Sequence, residues 1–299
     1  MSESTEIQTL ERNSSAVRVA APARCPLFIV RPHGRLFAIH HPPAAAADLD
    51  EAVLYIHPFA EEMNQSRRMA TLQAEALAGM GHGVLMLDLS GCGDSTGEFA
   101  GARWETWRED VVAGCRWLGD QGYRRITLWG LRLGAALAVE KTACAEPGLC
   151  HRLVLWQPVV SGRTLLTQFL RLRMAAEMGS DGGATTESMR VALGNGETLE
   201  IAGYELTPEL STALDKVDLA GAKLPDGLRL DWIEIVPQAD RGPAPASRRV
   251  IERWVEAGSP PAVETVEGAA FWSIQETTLV PGLIERTTSL FGISRLSSK

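Results

Sequence analysis

Four apolar runs of strand length, AVLYIHPF (52–59), GVLMLDLS (83–90), ITLWG (126–130) and RLVLWQPVV (152–160), alternate with segments whose apolar residues recur at helical spacing. Those segments are Ser66 to Met80, with Met69, Leu72, Ala76, Leu77 and Met80 on one face; Trp104 to Leu118, with Trp104, Trp107, Val111, Cys115 and Leu118; and Leu133 to Ala145. Side-by-side parallel strands need crossover connections, and helices supply them. A chain patterned this way is confined to a parallel sheet with helices on both faces.

PLFIV and RLFAIHHP flank Pro32 to Gly34 at hairpin distance and read as a pair of edge strands. After residue 160 the alternation stops. Residues 161–224 read as a helix (TLLTQFLRLRMAAEM), a glycine-rich loop (GSDGGAT), a hairpin turning at GNG within MRVALGNGETLEIAGYEL, and a second helix. That second helix has Thr207 as N-cap and Pro208 at its first position. The β-α pattern resumes with LRLDWIEIV, a helix over about 246–257, the strand AVETVEGAAF and a last helix around 283–290. The expected organisation is a flexible tail (1–24), a core of eight strands in two parts (25–160 and 225–299), and an insertion between them (161–224). The 299 residues, 45% hydrophobic and without an internal linker rich in Gly, Ser or Pro, suit one large core.

Composition excludes several classes of function. The net charge is -8 and the basic residues do not cluster, which argues against a nucleic-acid surface. The cysteines, Cys25, Cys92, Cys115, Cys144 and Cys150, are odd in number and dispersed, so neither a disulfide framework nor a zinc site is expected, and no motif calls for a cofactor. The glycine-rich run GCGDSTG lacks the G-K-[ST] ending of a phosphate cradle, and its Cys92 reads as structural. The N-terminus is polar and acidic, unlike a signal peptide, and no apolar run is long enough to span a bilayer. A soluble, cytoplasmic protein is expected.

The stretch ITLWGLRLGAALA (126–138) is a strand, a tight turn and a helix, with Gly130 and Gly134 four apart and Arg132 between them. Together with HPFAEEMNQSRRM, DLSGCGDSTGEF, WGLRLG and GAAFW, this turn resembles the exosortase A system-associated hydrolase 2 family of the α/β-hydrolase superfamily. The resemblance covers residues from about 26 to the C-terminus. It implies an α/β-hydrolase fold, a mostly parallel eight-stranded sheet with a lid inserted after the sixth strand, and a setting in bacterial polysaccharide export and protein sorting, with acyl or ester substrates or partner proteins of that system.

The fold's usual machinery is a nucleophile at the G-x-S-x-G centre, a histidine after the last strand, a carboxylate after the seventh, and two backbone N–H groups forming an oxyanion hole. Here the nucleophile position holds Arg132, a permanent cation with no lone pair to attack a carbonyl. None of the six histidines lies after residue 151, and Phe271 stands where the base belongs. Asp240, in VPQAD, matches the acid, and the N–H groups of Phe59 and Leu133 match the oxyanion hole. The triad is degenerate by sequence.

His57, Glu61, Glu62 and Asn64 fall in the segment after the third strand, read as a loop bordering the pocket, and Trp272 beside Phe271 is a candidate lining residue. Arg132 must find a carboxylate, with Asp240 the first choice and Glu61 or Glu62 the second. Either the pair is a buried salt bridge fixing the cleft, or Arg132 holds a carboxylate or phosphate of a small anionic ligand. Two functions remain open: a non-catalytic binder of an anionic molecule or partner protein, and a hydrolase whose water is activated by His57 or Glu61.

Overall fold

The computed structural model describes residues 24–44, 50–142, 149–177 and 184–293. The tail expected over 1–24 lies, except for Arg24, outside the described residues. In chain order the core opens with β1 (Cys25–Arg31), β2 (Gly34–His41), β3 (Glu51–Ile56), α1 (Glu61–Gly79), β4 (Gly83–Leu87), α2 (Trp104–Asp120), β5 (Arg125–Leu131), α3 (Leu133–Thr142) and β6 (Cys150–Trp156). The insertion follows, with α4 (Gly162–Ala176), α5 (Thr186–Gly194), β7 (Leu199–Ile201), β8 (Tyr204–Leu206) and α6 (Pro208–Asp215). The chain then returns through β9 (Arg229–Val236), α7 (Pro245–Glu256), β10 (Ala262–Glu267) and α8 (Pro281–Ile293).

Eight strands form one sheet in the order β1-β2-β4-β3-β5-β6-β9-β10, and β2 alone runs antiparallel to the rest. Side chains alternate across this sheet. On β3, Ala52, Leu54 and Ile56 join a core with α2, α3 and the insertion, whereas Val53 and Tyr55 join a second core with α1 and α8. This is the α/β-hydrolase fold. The parallel strands bring the C-terminal ends of β3, β5 and β6 together at one edge, where ligands meet open α/β sheets.

Several expectations need correction. β2 is not an edge strand, because β4 pairs with its other side. The segment around GNG is helical up to Gly194, with Met189 and Leu193 buried one turn apart. The Thr185 and Ser188 side chains form a capping box at its start, and Gly196, at φ +94°, stops it. The hairpin turns later, at Ala202 and Gly203. β10 ends at Glu267, so Phe271 lies in a one-turn 3-10 helix, Phe271–Ser273, and not on the strand. α1 begins at Glu61, five residues before the expected start, which places Glu61, Glu62 and Asn64 on a helix and not in a loop.

Candidate functional site

The elbow is set by two glycines. A Cβ on Gly130 would lie 2.4 Å from the backbone of Ala135, and one on Gly134 would lie 2.2 Å from the Ile56 carbonyl oxygen. Only glycine lets helix α3 start this close to the ends of β3 and β5. Between them Arg132 takes φ +57°, a left-handed conformation that a non-glycine residue adopts at a cost. Its backbone is pinned to the end of β6: the Arg132 N–H donates to the Trp156 carbonyl at 2.9 Å, and its carbonyl accepts from Val159 at 3.1 Å.

Backbone strain clusters here. Among the described residues four non-glycines have positive φ, and three of them, Ala60, Arg132 and Gln157, follow the C-terminal ends of β3, β5 and β6. Such concentration at one edge of the sheet is the usual mark of a functional site.

The turn aims the Arg132 side chain at α1. Its Nε and Nη2 both donate to Glu62 Oε1, at 3.1 and 3.0 Å, and Nη2 reaches Gln168 Oε1 of α4 at 3.5 Å. The guanidinium carbon sits 5.4 Å from the Trp272 ring centroid, within cation-π range. Both members of the pair are shielded, with side chains 15% and 10% exposed. The first-choice partner, Asp240, is instead exposed in the loop after β9 and has no partner among the described residues. Spacing along the chain located Asp240 but not the direction it faces.

Glu62 is not fully satisfied. Burial pushes its carboxyl pKa up, the Arg132 charge pulling the other way, and Oε2 has no partner among the described residues. Glu61, one position earlier, is pushed up to about 7, first by burial, with the Glu62 charge adding to it. Glu61 Oε2 is likewise unpartnered, as is Gln65 Oε1 one turn along the same face. Tyr204 of the insertion closes over this face: its hydroxyl lies 3.4 Å from Asn64 Nδ2, and burial and the Glu61 charge raise its pKa. Gln168 and Tyr204 were not foreseen from the sequence.

His57 is occupied. Its Nδ1 lies 2.7 Å from the Pro58 carbonyl and its Nε2 accepts the Leu89 N–H at 3.1 Å. That pattern fixes the neutral tautomer with the proton on Nδ1, and burial lowers the pKa further. No lone pair remains to take a proton from water, so His57 is withdrawn as a base. Phe271 is fully buried, packed edge-on against Trp156 and Trp272 with centroids 6.5 and 5.2 Å away. Cys92 is buried and its thiol is pushed up to about 12, which leaves it inert.

Phe59 and Leu133, whose N–H groups match the oxyanion hole, line one gap together with His57, Ala60 and Leu137. That gap is about 10 Å³, room for about one water and not for an acyl group. Phe59 fills the rest, packed against Phe169 of α4 at 5.0 Å. Among the described residues no group of His, Cys, Asp and Glu could hold a metal ion, and no helix is long and apolar enough to cross a membrane.

Comparison with known proteins agrees with the fold. The chain is similar to the esterase Est1E from Butyrivibrio proteoclasticus, solved with ferulic acid, at 15% identity and TM-score 0.61, over 91% of this chain and 100% of that one. It is similar to mouse alpha/beta hydrolase domain-containing protein 10, at 16% identity and TM-score 0.59 over 91% and 99% of the two chains. It is also similar to an α/β serine hydrolase without a lid from Xanthomonas campestris, at 16% identity and TM-score 0.53 over 91% and 94%. At these identities the likeness establishes the architecture and no reaction. No protein-family model matches the chain, and no curated protein matches it in sequence.

Proposed function

We propose that the protein is a non-hydrolytic member of the α/β-hydrolase fold whose elbow binds a small anionic molecule through Arg132. The observation that carries this reading is the Arg132–Glu62 pair, a cation in the strained position where the fold exposes a nucleophile, held by only one of the two carboxylate oxygens. A ligand carboxylate or phosphate can replace Glu62 on the guanidinium if Glu62 takes up a proton, and burial already favours its neutral form. The contact to Gln168, at 3.5 Å, is the longest of the three. The four motifs that resemble the exosortase A system-associated hydrolase 2 family support a setting in polysaccharide export, with a partner protein of that system as the other occupant.

The test is a thermal-shift screen of short carboxylates and phosphates at pH 6 and pH 8, on the native chain and on Glu62→Gln. The native chain should be stabilised more at pH 6. Glu62→Gln should be stabilised more than the native chain at pH 8, because the competing charge is gone, and Arg132→Ala should not respond. Anion binding that is indifferent to both substitutions contradicts the reading.

One observation favours a second reading, in which Glu61 activates water for ester hydrolysis. Its pKa of about 7 suits a general base. Turnover of 4-nitrophenyl acetate that disappears in Glu61→Gln would select it.

A further inference from the structure

We propose that a groove between the core and the base of the insertion binds an amphipathic anion, a molecule with an alkyl or acyl chain ending in a carboxylate or phosphate. The site is separate from the elbow and does not rest on the reading given for it. The groove runs between α2 and α3 on one side and the end of α6 with residues 217–223 on the other, and encloses about 520 Å³, within the range of small-molecule sites.

Its floor is apolar, formed by Ala136 and Val139 of α3, Leu219, and the half-buried Ala213, Val217 and Ala222. The insertion-side wall is fixed in place. Gly162 N–H donates to the Val217 carbonyl at 2.9 Å, Leu219 N–H to Val160 at 3.1 Å, and Trp254 Nε1 to the Leu219 carbonyl at 3.0 Å. A wall held by three hydrogen bonds presents a formed site and loses little entropy when a ligand enters.

The rim carries three cations, Arg108, Lys216 and Lys223, and three carboxylates, Glu105, Glu140 and Asp218, and the lysines are the cations left without a partner among the described residues. Glu140 is committed: Oε2 accepts from Trp104 Nε1 at 2.7 Å and Oε1 lies 3.4 Å from Arg108 Nε. Asp218 is held in place by its Oδ1, which accepts the Ala220 N–H at 3.0 Å, and keeps its charge. Lys216 and Lys223 are exposed on the insertion side, and the exposed Glu105 faces them from α2. The chain has only four lysines, so two of the four meet at this rim of a protein whose net charge is -8. A head group seated on these lysines leaves its chain lying over Ala136 and Val139. Strongly hydrated, mobile ammonium groups suit a carboxylate or phosphate taken at a rim, where the geometry is not that of a bidentate arginine site.

The test is isothermal titration calorimetry of the full chain with decanoate, decyl phosphate and decyltrimethylammonium, each below its micelle-forming concentration. Both anions should bind, the stronger identifying the head group, and the cation at least about tenfold more weakly. Lys216→Glu with Lys223→Glu changes only exposed side chains and should weaken the anions at least about tenfold. Ala222→Trp should block the groove with the fold intact by circular dichroism, and the lysine reversal should have the same effect in an Arg132→Ala background, where an anion held at the elbow is absent. In that background, no anion binding, equal binding of the cation, or anion binding that survives the double charge reversal would overturn the proposal.

Discussion

The two ends of the parallel strands hold shielded glutamates in opposite states. At the N-terminal end, Glu51 of β3 meets His151 of β6 at 3.1 Å, Arg125 of β5 at 3.2 Å and His82, just before β4, at 3.6 Å. These partners hold its carboxyl far below the usual range, at about 2, with the His151 hydrogen bond the largest cause. At the C-terminal end Glu62 has one cation, an orphaned oxygen and a raised pKa, and Glu61 beside it rises to about 7. Burial raises all three carboxyls, and it is the largest cause of the rise at Glu62 and Glu61. At Glu51 the His151 hydrogen bond and the nearby charges outweigh it, so one edge is built for stability while the other keeps unsatisfied charge where the fold ordinarily does chemistry.

The largest effect that can test this contrast is Arg132→Ala, which strands Glu62 in a buried site. A loss of about 3 kcal/mol at pH 8 is expected in denaturant unfolding, shrinking at low pH as Glu62 protonates. A loss within about 0.5 kcal/mol, the range of an ordinary surface change, would show that the pair does not hold the elbow.

Glu51→Gln sharpens the other side. Glu51 has a depressed pKa, so its stabilisation is present above about pH 4.5 and is lost as pH falls through 2. The substitution should cost on the order of 2 kcal/mol at pH 7 and flatten the acid limb of the stability profile. A profile that keeps its slope between pH 4.5 and 2 would place the acid sensitivity elsewhere.

Glu61→Gln should act in the opposite direction and more weakly. Its pKa is raised, so the native state is penalised as pH rises from the unfolded value near 4.5 to about 7, and the penalty is constant above that. Removing the charge should stabilise the protein above pH 7 by on the order of 1 kcal/mol, less than the full shift because solvent screens part of the carboxyl. Destabilisation by Glu61→Gln at pH 8 would mean that the charge has a partner and the two edges are alike.

The sheet was legible because buried parallel strands are continuous apolar runs, and the elbow because Gly130 and Gly134 are required by backbone contact. The start of α1 was not. Its N-cap is Ala60, at φ 50° and with no side-chain hydrogen bond, so no Ser, Thr, Asp or Asn announces the helix and its first turn reads as a loop. Asp240 shows the same limit, because a count along the chain fixes a residue's place in a loop but not the way it faces. Gln168 and Tyr204 reach the site from the insertion, and nothing local in the sequence encodes contacts between segments so far apart.

An elbow that carries a paired cation and no nucleophile should be silent to covalent labelling. Intact-mass measurement after incubation with a millimolar serine-directed fluorophosphonate should show an unmodified chain, because such probes need an activated hydroxyl. A stoichiometric adduct on any serine, mapped by peptide mass spectrometry, would contradict the account.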